Sequence, residues 1–186
     1  MKAIETISRK VLTGLALFAF AFGVVIAQPV NAPAAGSADF HSLRKNAAGG
    51  MTGASGRAFR GPNGGAAKTS GFAGDGQGNV VGGSAGAFSA PNGASGMRGS
   101  GTTRSSDGTV QHRGGFAVQG SKGSAASSGS FTKNSDGTAS GERNTEATSK
   151  NGGSYQGNTT YQTDSGVTHT GTCTDASGAT IPCPGK

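Results

Sequence analysis

Tryptophan is absent from this chain, and tyrosine occurs only twice. Aromatic residues are 6% and charged residues 13% of its 186 residues. Phe18, Phe20 and Phe22 belong to one apolar run near the start. That leaves Phe40, Phe59, Phe72, Phe88, Phe116 and Phe131 as the large apolar side chains of the rest. Burying such a side chain is worth roughly 1.5–3 kcal/mol. Ordering one residue's backbone costs about 1–2 kcal/mol, and glycine loses the most freedom. With 36 glycines present, a thick conventional core is excluded. Order must come from backbone hydrogen bonding and small-residue packing; a largely disordered chain is the alternative.

The signals of catalysis are also missing. His41, His112 and His169 are scattered, without metal-ligand spacing such as H-E-x-x-H. Serines abound, but no G-x-S-x-G elbow occurs, and there is no phosphate loop. Most acids sit in turn-like words; Glu142 and Glu146 are the exceptions, and paired carboxylates need a cleft that this composition does not build. Gly74-Asp75-Gly76-Gln77-Gly78-Asn79 is similar to one calcium-binding nonapeptide, but such sites need tandem copies. No catalytic residue, metal site or cofactor is assigned, and the expectation is a protein that is not an enzyme.

What the chain does have begins with an export signal. Lys2, Arg9 and Lys10, diluted by Glu5, precede the apolar run Val11 to Ala27. Basic start, apolar stretch and small-residue exit define a secretory signal. Val25-Ile26-Ala27 favours cleavage after Ala27, with Ala32-Pro33-Ala34 as second choice. The alternative is an uncleaved anchor, because seventeen apolar residues reach the lower limit for crossing a bilayer; this would be the only membrane attachment. A membrane β-barrel is disfavoured, since aromatic girdles are lacking. Without the signal the chain keeps 13 basic and eight acidic residues. These charges are scattered, so weak attraction to envelope or matrix polyanions is the binding reading, carried by Arg57, Arg60, Arg98, Arg104, Arg113 and Arg143. Specific nucleic-acid recognition is not expected.

The order of the residues shows a repeat. Gly61-Pro62-Asn63-Gly64 recurs as Ala90-Pro91-Asn92-Gly93, and Lys122-Gly123 and Asn151-Gly152 continue the series at steps of 29, 30 and 29. A second series lies midway: Asp75-Gly76, Asp107-Gly108, Asp136-Gly137 and Asp164-Ser165-Gly166. Asn-Gly and Asp-Gly predict tight two-residue hairpin turns with positive φ at both central residues. The segments between them alternate as strands do. Val110, His112, Gly114, Phe116 and Val118 share one side; Tyr155, Gly157, Thr159 and Tyr161 do the same.

The fold expected is therefore all-β, with repeated hairpins of about 29 residues and some nine or ten strands from Arg57 to Ile181. An antiparallel meander is favoured over a β-solenoid, because a solenoid would stack Asp75, Asp107, Asp136 and Asp164 about 4.8 Å apart. The division is a signal at 1–27, a flexible leader at 28–56 and the hairpin region at 57–186. Two cysteines in an exported chain predict a disulfide, Cys173 to Cys183, around the turn Asp175-Ala176-Ser177-Gly178.

The ending Thr168 to Gly178, followed by Ile181-Pro182-Cys183, resembles the tail of uncharacterised Gly/Ser/Thr-rich exported proteobacterial proteins. That resemblance implies export and a terminal disulfide, and no activity. In design the chain is also similar to secreted curli-type repeat subunits, though its repeat is longer. The function expected is a structural, surface or matrix protein that assembles or adheres through β-sheet. The alternatives are a periplasmic polyanion-binding module and a largely disordered secreted protein.

Overall fold

The computed structural model describes residues 35–183. The signal segment, its cleavage point at Ala27 and the Pro29 to Pro33 stretch lie outside the described residues.

Eleven strands follow one another along the chain. They are β1 (Gly36–Lys45), β2 (Met51–Gly61), β3 (Gly64–Gly74), β4 (Val80–Ser89), β5 (Ser95–Arg104), β6 (Val110–Gly120), β7 (Gly123–Lys133), β8 (Ala139–Ser149), β9 (Ser154–Gln162), β10 (Gly166–Thr174) and the short β11 (Thr180–Ile181). All lie in one sheet, in chain order. Neighbours are antiparallel throughout, so the fold is a meander and each 29-residue repeat is one hairpin plus its outgoing turn. The turns at Gly64, Gly93, Gly123 and Gly152 fall at one end of the sheet, and those holding Asp75, Asp107, Asp136 and Asp164 at the other. Like turns are therefore two strands apart, about 10 Å, which relieves the repulsion a solenoid would impose.

Two expectations need correction. Among the described residues the sheet starts at Gly36, so residues 36–56 are not leader: β1 pairs with β2 along its whole length. The turns are also of two lengths: Pro62-Asn63 and Ser121-Lys122 are the expected two-residue loops, but neither central residue has positive φ, and the other turns are longer. Among the described residues only glycine has positive φ. At Gly93, Gly108, Gly137 and Gly152 the glycine N–H donates to the carbonyl three residues back, closing a type I turn, and the glycine alone is left-handed. Asp and Asn act through their side chains instead. Asp107 and Asp136 Oδ1 accept the N–H of Thr109 and Thr138, and Asn92 Oδ1 accepts that of Ala94. A type I turn followed by a left-handed glycine is the common three-residue hairpin, and it spares Asn and Asp a conformation that costs a side-chain-bearing residue energy.

Side chains alternate across the pleat, and residues directly opposite share a face. Following the registers across the sheet sorts the molecule into two unlike faces. One carries every described aromatic ring except Phe40: Phe59 and Phe88, Phe72 and Phe131, Phe116, Tyr155 and Tyr161. This includes both sets of alternating residues read from the sequence, which turn out to lie on the same face. The other carries a row of small residues, Ala38, Ala58, Ala67 and Ala87, then Met97, then Ala117 and Ala126. We call them the aromatic face and the alanine face.

Among the described residues nothing packs over either face. Cys173 is the one buried hydrophobic residue and Ser127 the one buried polar residue among those described. The disulfide Cys173–Cys183 closes the chain, with Cα atoms 5.3 Å apart, and holds β11 against the end of β10.

Candidate binding surface

On the aromatic face the side chains form rows that run across the strands. One row begins with Asp39, Arg57 and Lys68, passes Gly86, and continues through Arg98, Phe116 and Ser127. A row of rings lies on each side of it, two and four residues along the strands. Phe59, Phe88 and Tyr155 form one, with Val118 between the last two; Phe72, His112, Phe131 and Tyr161 form the other. Between the cations and the second ring row stand Ser55, Ser70, Ser84 and Ser100.

The rings lie down because glycine lets them. A Cβ on Gly53 would come within 2.5 Å of Phe72 Cε1, one on Gly96 within 2.5 Å of Phe88 Cε1, and one on Gly141 within 3.1 Å of Phe131 Cδ2. Each ring therefore covers the bare backbone of the next strand, the arrangement by which aromatics compensate glycines in antiparallel sheets. Their outer surfaces stay open: Phe59 is 55% exposed, Phe88 46% and Phe72 42%.

The polar groups are tied locally. Arg57 Nε donates to Asp39 Oδ1 at 2.6 Å, the only ion pair among the described residues. That hydrogen bond, with the carboxylate's charge, raises the Arg57 pKa above its ordinary value. Arg143 Nε donates to Ser127 Oγ at 2.8 Å, Ser127 Oγ donates to the Asn144 carbonyl, and the guanidinium lies 5.9 Å from the Phe116 ring centroid. The serine hydroxyls pair across strands, Ser55 with Ser70 at 3.0 Å and Ser84 with Ser100 at 3.1 Å. His112 Nδ1 shares a hydrogen bond with Thr102, and His169 bridges Tyr155 and Thr159. His41 is on β1, His112 on β6 and His169 on β10. Among the described residues no three His, Cys, Asp or Glu side chains gather as a metal set.

Of the six arginines singled out by sequence, the sheet brings four to the aromatic face: Arg57, Arg98, Arg104 and Arg143. Arg60 and Arg113 are on the alanine face. The sequence reading passed over Lys45, Lys68 and Lys133, which join the four. Parity finds two of them, since Lys68 is in step with Phe72 and Lys133 with Phe131; Lys45 is out of step with Phe40 and is placed by the β1–β2 register. A shallow groove at the turn end, lined by Asn92, Gln119, Ser124 and Thr148, is open and polar.

No family model matches the chain, and no curated protein or solved structure matches it either.

Proposed function

We propose that this chain is an exported, non-enzymatic structural protein of the periplasm, cell surface or extracellular matrix, working through β-sheet assembly. The observation that carries the reading is that the described residues form a sheet of eleven strands with bare edges and no interior among themselves. Among the described residues nothing pairs with the outer edge of β1 along its ten residues, and β10 meets β11 only at Cys173 and Thr174. Unpaired edges are templates for further strands, and the alanine row permits close stacking of sheet on sheet. The disulfide belongs to an oxidising compartment, which supports export.

Sedimentation velocity on the chain purified after export tests this. Species should grow with concentration. Ala38→Lys with Ser42→Lys, which adds charge to β1, should leave monomer. A wild-type chain that stays monomeric at high concentration and binds no envelope or matrix component overturns the reading.

A further inference from the structure

We propose that the aromatic face is a binding surface for single-stranded polynucleotide, recognised without regard to sequence. The strands place Lys45, Arg57, Lys68, Arg98, Arg104, Lys133 and Arg143 on this face against a single carboxylate, Asp39. Asp39 is already engaged by Arg57. The alanine face has Arg44, Arg60 and Arg113 against Glu142 and Glu146. Folding thus sorts charges that look scattered along the chain.

Within the face the cations crowd. Arg57 stands directly opposite Lys68, and Lys68 and Arg98 flank Gly86 from either side. A Cβ on Gly86 would lie 3.7 Å from Lys68 Cβ and 3.8 Å from Arg98 Nε. Like charges opposite one another destabilise a sheet. An anion laid along the row removes that cost.

The rings say what kind of anion. The ring rows lie about 7 and 14 Å from the cation row along the strands. A chain crossing the strands can set phosphates on the cations and turn its bases over the nearer row, Phe59, Phe88 and Tyr155. Base–aromatic stacking beside a basic track is how single strands are held without sequence preference. An acidic polysaccharide fits less well: it offers no π-face, and its hydroxyls need partners, while the serine hydroxyls are paired with one another. Sequence reading requires side-chain amides or comparable groups aimed at base edges. Every Asn and Gln within the strands, including Gln111, Gln119, Asn144 and Asn158, falls on the alanine face.

The test is fluorescence anisotropy of a labelled oligothymidylate with the chain purified after export. Binding should weaken steeply with salt, with a log–log slope of about −0.7 for each phosphate neutralised. Arg57→Ala with Lys68→Ala and Arg98→Ala, the three cations of the row, should cost about tenfold at low salt and flatten the slope by about 2. The matched alanine-face triple, Arg44→Ala with Arg60→Ala and Arg113→Ala, should leave the slope unchanged. Phe59→Leu with Phe88→Leu should weaken binding about fivefold or more and keep the slope. All these side chains are exposed, and an unchanged β-type circular dichroism spectrum checks the fold. Equal losses from both faces, which would reduce binding to net charge, overturn the proposal. So does a leucine pair that binds normally while an acidic polysaccharide competes equally, which would make the surface a polysaccharide site. No binding at low salt overturns it as well.

Discussion

Phe131 and Tyr161 lie on strands that are not neighbours, β7 and β9, yet their rings stack with centroids 6.1 Å apart and planes 27° from parallel. Gly141 on β8 is directly opposite both, and its missing side chain lets them meet. Such a pair is worth roughly 0.5–1.5 kcal/mol beyond its burial. Gly141→Val should therefore lower stability by about 1 kcal/mol in urea unfolding. The coupling between Phe131 and Tyr161, read by combining Phe131→Leu and Tyr161→Leu, should vanish in that background. Coupling that persists would show that the stack does not depend on the glycine.

The disulfide closes a sequence separation of 10 residues around the last turn. Reduction should cost about 2–3 kcal/mol, on the scale for short loops. Amide exchange should quicken at Cys173, Thr174 and Thr180, where β11 is held, before it changes in β5 to β7. A uniform increase across the sheet would mean that the terminal hairpin and the central strands unfold as one unit.

Acid should weaken the sheet through its turns. Asp75, Asp136 and Asp175 have pKa values lowered from the ordinary range. The leading causes are hydrogen bonds from the Asn79 amide, the Thr138 hydroxyl and the Ser177 hydroxyl, followed by backbone N–H groups. A carboxylate with a lower pKa folded than unfolded contributes stability that is complete above the unfolded value. That contribution is lost as pH falls through the folded value. The thermal midpoint should be level from neutrality to about pH 5 and decline below about pH 4. Asp136→Asn keeps the acceptor oxygen, so its decline should be shallower. A midpoint indifferent to acid would remove these turns as a source of stability.

Glycines here are not equivalent. Gly108 has φ of +92° and open space around it, so Gly108→Ala should cost about 1 kcal/mol from backbone conformation alone. Gly99 lies in mid-strand, with the nearest atom to an added Cβ 3.8 Å away. Gly99→Ala should raise stability by about 0.5 kcal/mol, because it restricts the unfolded chain. Paired thermal melts of the two variants check the contrast, and a loss of similar size at both sites would sink it.

The strand-turn rhythm was legible because turn words are local: Pro62-Asn63-Gly64 and Ser106-Asp107-Gly108 announce themselves within a few residues. The meander followed from a charge argument about Asp75, Asp107, Asp136 and Asp164, and the disulfide from two cysteines flanking a turn. β1 escaped notice because Gly36 to Lys45 follows an Ala-rich and Pro-containing stretch and carries no turn word in the 29-residue series. Its strand character comes from pairing with β2. Turn geometry is not legible from the words alone because Asn-Gly and Asp-Gly suit more than one: Pro62-Asn63 closes a two-residue loop, while at Asp107-Gly108 the loop is longer and the Thr109 N–H donates to Asp107. The sorted faces needed the register of every hairpin. The two-residue turns Pro62-Asn63 and Ser121-Lys122 reverse which parity faces the rings and the longer turns keep it, so Arg98 and Arg113, on strands joined by a longer turn, part to opposite sides as even and odd positions.

Each strand packs substantially only against those before and after it in the chain. The molecule is thus a ruler, graduated in repeats. Stability in such an array is close to a sum of units and nearest-neighbour junctions, so no central strand is indispensable to a distant one. Recombination between copies of the turn words would change the number of graduations without changing the design. Each repeat gained or lost would alter the width by two strand spacings, about 10 Å. The reach of the protein would then evolve separately from its fold.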